Sequence, residues 1–70
     1  MLGGAGMVKI NGTELDIAGR TLAHYLAEAG YDEKRIAVER NGSIVPKAQY
    51  DKTVLQDGDE LEIVSFVGGG

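Results

Sequence analysis

Val8-Lys9-Ile10-Asn11-Gly12-Thr13-Glu14-Leu15-Asp16-Ile17 places apolar residues at spacing two on both sides of an Asn-Gly pair. That spacing is the period of a strand with one buried face. Asn-Gly supplies the two positive φ angles that a type I′ turn requires, so the segment predicts a β-hairpin. A second copy follows: Ile36-Ala37-Val38 alternates toward Arg40, Asn41-Gly42 turns, and Ser43-Ile44-Val45-Pro46 returns. Pro46 has no backbone donor, so its strand should be short or lie at a sheet edge. Asp57-Gly58-Asp59 then turns into a last strand, Glu60 to Val67.

Between the hairpins the period changes. Leu22, Tyr25, Leu26 and Ala29 fall at i, i+3, i+4 and i+7, the apolar stripe of an amphipathic helix, with Arg20, His24 and Glu28 on the opposite face. Thr21 is placed to cap its start and Gly30 to close its end. The predicted order is β-β-α-β-β-β, one helix across one mixed sheet. Its core should hold Val8, Ile10, Leu15, Ile17, Leu22, Leu26, Ile36, Val38, Leu55, Leu61 and Ile63. Tyr25 belongs to the same core, whereas Tyr31 and Tyr50 flank elements and should be partly buried.

Seventy residues make one small domain, which buries only about 60% of the surface its unfolded chain exposes. No deep catalytic pocket fits inside such a core. The absence of cysteine excludes disulfides, thiolate metal sites and a thiol nucleophile. Seven basic and eleven acidic residues leave a net charge of −4, and Lys34-Arg35 is the one adjacent basic pair. Nucleic acid needs a basic face, so none is expected as a partner; an acidic surface suits a basic protein. No apolar run approaches the roughly 20 residues of a membrane span. Met1 to Gly6 is too short and uncharged for a signal peptide. It reads as a flexible extension, with Met7 the natural start and the cytoplasm the expected compartment. Residues 7–67 would then form the domain and 68–70 a flexible tail.

The glycines of that tail, Gly68-Gly69-Gly70, follow directly on the last strand. Folding does not call for them, because glycine loses more backbone freedom on ordering than any other residue. Their use is to a partner: without Cβ atoms they can thread a narrow channel and present one carboxylate, that of Gly70. Within the strand, Leu61 and Ile63 share one parity and should face the helix. Val64 and Phe66 share the other parity with Glu60 and Glu62, so the pair should face solvent beside the tail as a docking surface. The alternative is a bulge that tucks Phe66 in. His24 stands alone on a polar helix face and reads as a spectator. Asp57, Asp59, Glu60 and Glu62 match no calcium-loop pattern; Asp-Gly-Asp is turn chemistry, and no metal is expected.

With these residues in view, the chain resembles a known family. The element order is that of the β-grasp, or ubiquitin-like, α+β fold. The stretches Glu39-Arg40-Asn41-Gly42-Ser43-Ile44-Val45-Pro46, Leu55-Gln56-Asp57-Gly58-Asp59-Glu60-Leu61-Glu62-Ile63-Val64 and Phe66-Val67-Gly68-Gly69-Gly70 are similar to the bacterial sulfur carrier of thiamine-thiazole biosynthesis. The resemblance covers Met7 to Gly70. It implies a carrier and not an enzyme, with Gly70 adenylated and then converted to a thiocarboxylate. Its implied partners are a ubiquitin-activating-type adenylating enzyme that uses ATP and magnesium, a sulfur donor such as a cysteine desulfurase, and thiazole synthase. Gly68, Gly69, Val64, Phe66 and Val67 would meet those partners; the chain itself would bind no cofactor.

Three other readings share parts of this pattern. The small subunit of molybdopterin synthase has the same fold and tail, though proline tends to precede its diglycine where Ser65-Phe66-Val67 stands here. A ubiquitin-like modifier would end with Gly70 joined to a lysine. A plain β-grasp binding module would carry an inert tail.

Overall fold

The computed structural model describes residues 6–66. The expected flexible extension, apart from Gly6, and the expected tail lie outside the described residues, as does Val67. Strands β1 (Val8–Ile10) and β2 (Thr13–Leu15) form the first hairpin. Helix α1 (Leu22–Ala29) follows, then β3 (Ile36–Arg40) and β4 (Ser43–Val45), and last β5 (Glu60–Ser65). Short 3-10 turns at Glu33–Arg35 and Lys47–Gln49 complete the chain order. The sheet runs β2-β1-β5-β3-β4. β1 and β5 are parallel, and the remaining pairs are antiparallel. This is the mixed sheet and single helix of a β-grasp fold. Among the described residues, no helix is long and apolar enough to cross a membrane.

Both Asn-Gly pairs form two-residue turns. Ile10 pairs with Thr13 and Arg40 with Ser43, leaving only Asn11-Gly12 and Asn41-Gly42 between them. Their φ angles are 49° and 86° in the first turn and 51° and 88° in the second, the doubly positive pattern of a type I′ turn. Pro46 follows β4 directly, and β4 is a three-residue edge strand as expected.

The helix starts where Thr21 accepts a hydrogen bond from His24 N–H at 3.1 Å. It stops at Gly30, whose φ of 84° lets its N–H reach the Ala27 carbonyl while Tyr31 N–H reaches that of Leu26. That pair of bonds is a Schellman closure. Leu22 and Leu26 are fully buried against the sheet. Two members of the stripe behave differently from expectation. Ala29 is exposed, since its lone methyl sits in the closing turn beside Gly30. Tyr25 is half-buried, its ring tilted against Tyr31 at 6.5 Å between centroids.

Ten of the eleven expected core positions are buried; Leu15, on an edge strand, is only partly covered. Ala18 and Tyr50 join them. Tyr50 is 1% exposed, more deeply placed than its flanking position suggested. The Lys47–Gln49 turn swings it inward, and its backbone carbonyl accepts from Ala23 N–H at the start of the helix. Burial, with a smaller contribution from Glu33, pushes the Tyr50 phenol pKa up.

Candidate functional site

Strand β5 lies at the centre of the sheet, hydrogen-bonded to β1 on one side and β3 on the other. Side chains on a strand alternate between faces. Leu61 and Ile63 accordingly point into the core, while Glu60, Glu62 and Val64 face solvent. Phe66 N–H donates to Arg35 O at 2.7 Å, extending the β3–β5 ladder by one residue. Phe66 stays 52% exposed and Val64 57% exposed. The outward pair expected from strand parity is therefore present, and no bulge tucks Phe66 away.

The neighbouring strands enlarge this patch. Ala37 on β3 pairs with Val64, and Glu39 pairs with both Glu62 and Ile44. Ile44 is 72% exposed, the most exposed of the large apolar side chains among the described residues. A shallow apolar depression runs between Ile44, Pro46, Ala37 and Phe66. Sequence reasoning missed Ile44, although the signal was available. A two-residue turn after Arg40 sets Val38 opposite Val45 and Glu39 opposite Ile44. With Val38 in the core, Ile44 must share the outer face with Glu39.

The acidic turn before β5 is structural. Asp59 is 6% exposed. Its Oδ2 accepts from Arg40 Nε and from Gln56 N–H, both at 2.9 Å, and lies 2.8 Å from Arg40 Nη2 in an ion pair. Its Oδ1 accepts from Asn41 Nδ2 at 3.0 Å. Burial pulls the Asp59 pKa up, but the Gln56 N–H, the Asn41 amide and the Arg40 guanidinium outweigh it. The carboxyl is held below the usual carboxylate range. Asp57 Oδ1 accepts from Met7 N–H at 2.9 Å and ties the start of β1 to the same turn. Among the described residues, no three His, Cys, Asp or Glu side chains converge as a metal site would require. His24 is exposed on the outer helix face, 3.3 Å from Glu28, which also pairs with Arg20.

Among the described residues this arrangement offers an exposed surface. It presents Val64, Phe66 and Ile44 on one face, at the end of the strand from which the chain continues into Val67, Gly68, Gly69 and Gly70. Those four positions lie outside the described residues.

Comparison with known proteins gives a consistent result. The ThiS family profile matches residues 8–70. The sulfur carrier protein ThiS of Bacillus subtilis is 38% identical over 66 residues, a match covering 91% of this chain and 100% of that protein. A solved thiamine biosynthesis protein (ThiS) from Geobacter metallireducens superposes with a TM-score of 0.73 at 28% identity, covering 91% of this chain and 99% of that one. A protein named thiazole synthase from Paramagnetospirillum magneticum is 50% identical over 62 residues. That match takes in 87% of this chain but spans only 19% of that protein's length.

Proposed function

The chain belongs to the ThiS family, and from that premise we propose that it is a sulfur carrier of thiamine biosynthesis, with the carboxylate of Gly70 as the group that bears the sulfur. A carboxylate is ionised at neutral pH and has no leaving group, so it accepts sulfur only after activation. Its oxygen attacks the α-phosphorus of ATP on an adenylating enzyme, forming an acyl-adenylate and releasing pyrophosphate. The persulfide of a donor such as a cysteine desulfurase then displaces AMP to give an acyl disulfide. A thiol that attacks the donor's sulfur releases the thiocarboxylate and is itself left in a disulfide with the donor. The soft, anionic sulfur can attack an electrophilic carbon on thiazole synthase. ATP, magnesium and the groups that stabilise phosphate belong to the adenylating enzyme.

What this chain supplies is recognition and reach. Val64, Phe66 and Ile44 form the docking patch. From Val67 to Gly70 the chain can extend about 13–14 Å at ~3.3–3.6 Å per residue, enough to pass from a docked surface into a buried site. The observation that carries the reading is the exposed Val64 and Phe66 pair, separated from the glycines by Val67 alone, in a chain matched by the ThiS family through Gly70. A thiazole synthase as receiving partner is supported by relatives of that name that contain a segment similar to this chain.

Intact mass of the protein isolated from its native cell tests the proposal. The expected result is a chain ending on Gly70, with a fraction in which one terminal oxygen is replaced by sulfur. A mature polypeptide that continues past Gly70 would remove the reactive carboxylate and the proposal with it.

A further inference from the structure

The outer face of the sheet is not uniformly apolar. Beside the Ile44, Val64 and Phe66 patch lies a row of carboxylates whose placement depends on strand register. Glu39 on β3 is directly opposite Glu62 on β5, and Glu60 lies two residues before Glu62 on the same face. Like charges directly opposite on an antiparallel pair destabilise the sheet. The fold supplies cations for acids elsewhere: Arg40 holds Asp59, Arg20 holds Glu28 and Arg35 meets Asp32. Among the described residues, none of the ion pairs involves Glu39, Glu60 or Glu62. Lys9 is in register with Glu60, but it is flanked on its other side by Glu14. A shallow groove runs between Lys9, Glu39, Glu60 and Glu62.

The row and the apolar patch are continuous. Ile44, Glu39 and Glu62 are successive neighbours across β4, β3 and β5, and Val64 follows Glu62 on the same face. Any protein covering Val64 and Ile44 must also cover the Glu39–Glu62 pair. A neutral or acidic cover would desolvate two like charges without compensation, which is costly.

We infer that Glu39 and Glu62 are the electrostatic half of the docking face and receive an arginine side chain from the adenylating enzyme; this rests on the docking role proposed above. A guanidinium matches the geometry, because its planar fork offers five donors and can bridge acceptors on adjacent strands. The contact converts a repulsion in the free carrier into an attraction in the complex, and so favours a basic partner over an acidic one.

The test compares Glu39→Gln/Glu62→Gln, Phe66→Ala and a single-charge control, Asp51→Asn, in the loop beside the helix start. Affinity for the adenylating enzyme is measured at low and high ionic strength, with a denaturation midpoint for each variant. The double glutamine variant is expected to keep or raise its midpoint, to bind roughly tenfold more weakly at low salt, and to approach wild type as salt rises. Asp51→Asn should bind normally. If Phe66→Ala weakens binding but the double variant does not, the inference fails while the docking role stands. If neither substitution weakens binding, both fall. A lowered midpoint with unchanged affinity would assign the two carboxylates to the fold and overturn the inference.

Discussion

The side-chain amide of Asn11 hydrogen-bonds both backbone groups of Ile63: Oδ1 accepts from the Ile63 N–H at 2.8 Å, and Nδ2 donates to the Ile63 carbonyl at 3.2 Å. A primary amide has the donor and acceptor of a peptide unit. It continues the β1–β5 ladder one step beyond the point where the main chain must turn away. Asn41 does related work on the other side of β5. Its Oδ1 accepts from Glu60 N–H at 2.9 Å, and its Nδ2 donates to Asp59. The two hairpin turns thus clamp the same central strand from both sides, which fixes the face on which Val64 and Phe66 emerge.

Replacing Asn11 with glycine separates the residue's two roles. Glycine satisfies the positive φ of the turn but removes both bonds to Ile63. At about 0.5–1.5 kcal/mol net for each bond, Asn11→Gly should lower stability by roughly 1–3 kcal/mol, read from denaturant unfolding. An unchanged midpoint would mean that the amide contributes nothing beyond the turn.

Stability should fall in acid through Asp59. Its pKa is depressed in the folded protein, so it contributes stability that is present above its unfolded value of about 3.9 and is lost as pH drops through the lower folded value. Asp59→Asn should flatten that acid limb of the stability profile. At neutral pH it should also cost about 1–3 kcal/mol, because Arg40 and Gln56 N–H lose a charged acceptor. A variant with the same acid limb as wild type would assign the titration to other carboxylates.

Phe66→Ala and Leu61→Ala should have opposite effects. Half-exposed Phe66 can bury further area only against a partner, so its loss should weaken binding to the adenylating enzyme about tenfold and leave the fold nearly unchanged. Leu61 is 2% exposed, and its truncation should cost about 2–5 kcal/mol of stability. Ile44→Ala should resemble Phe66→Ala. Binding and unfolding measured on all three variants decide the matter; a Phe66→Ala protein that unfolds readily but binds normally would place Phe66 in the core.

Gly70 should tolerate no extension. On the proposed route, one added residue would displace the carboxylate and push a side chain into the narrow path that the glycines are expected to thread. With ATP, magnesium and the adenylating enzyme, the extended chain should release no pyrophosphate. Normal pyrophosphate release would locate the reaction elsewhere.

Much of this molecule is legible along the chain because the relevant signals are local or periodic. Asn11-Gly12 and Asn41-Gly42 specify turns through φ alone, and Thr21 and Gly30 bracket the helix through their own backbone and side-chain chemistry. Alternation along Glu60 to Phe66 separates core from solvent face before any neighbour is known. What tertiary structure decided is which strands lie side by side. Nothing periodic places β5 between β1 and β3, or carries Asn11 to a residue 52 positions away. The same pairing set Glu39 against Glu62, joined Ile44 to Val64 and Phe66, and enclosed Asp59 with Arg40. Each depends on register between segments distant in the chain, where the energy comes from burial and hydrogen bonds that exist only once the strands have met.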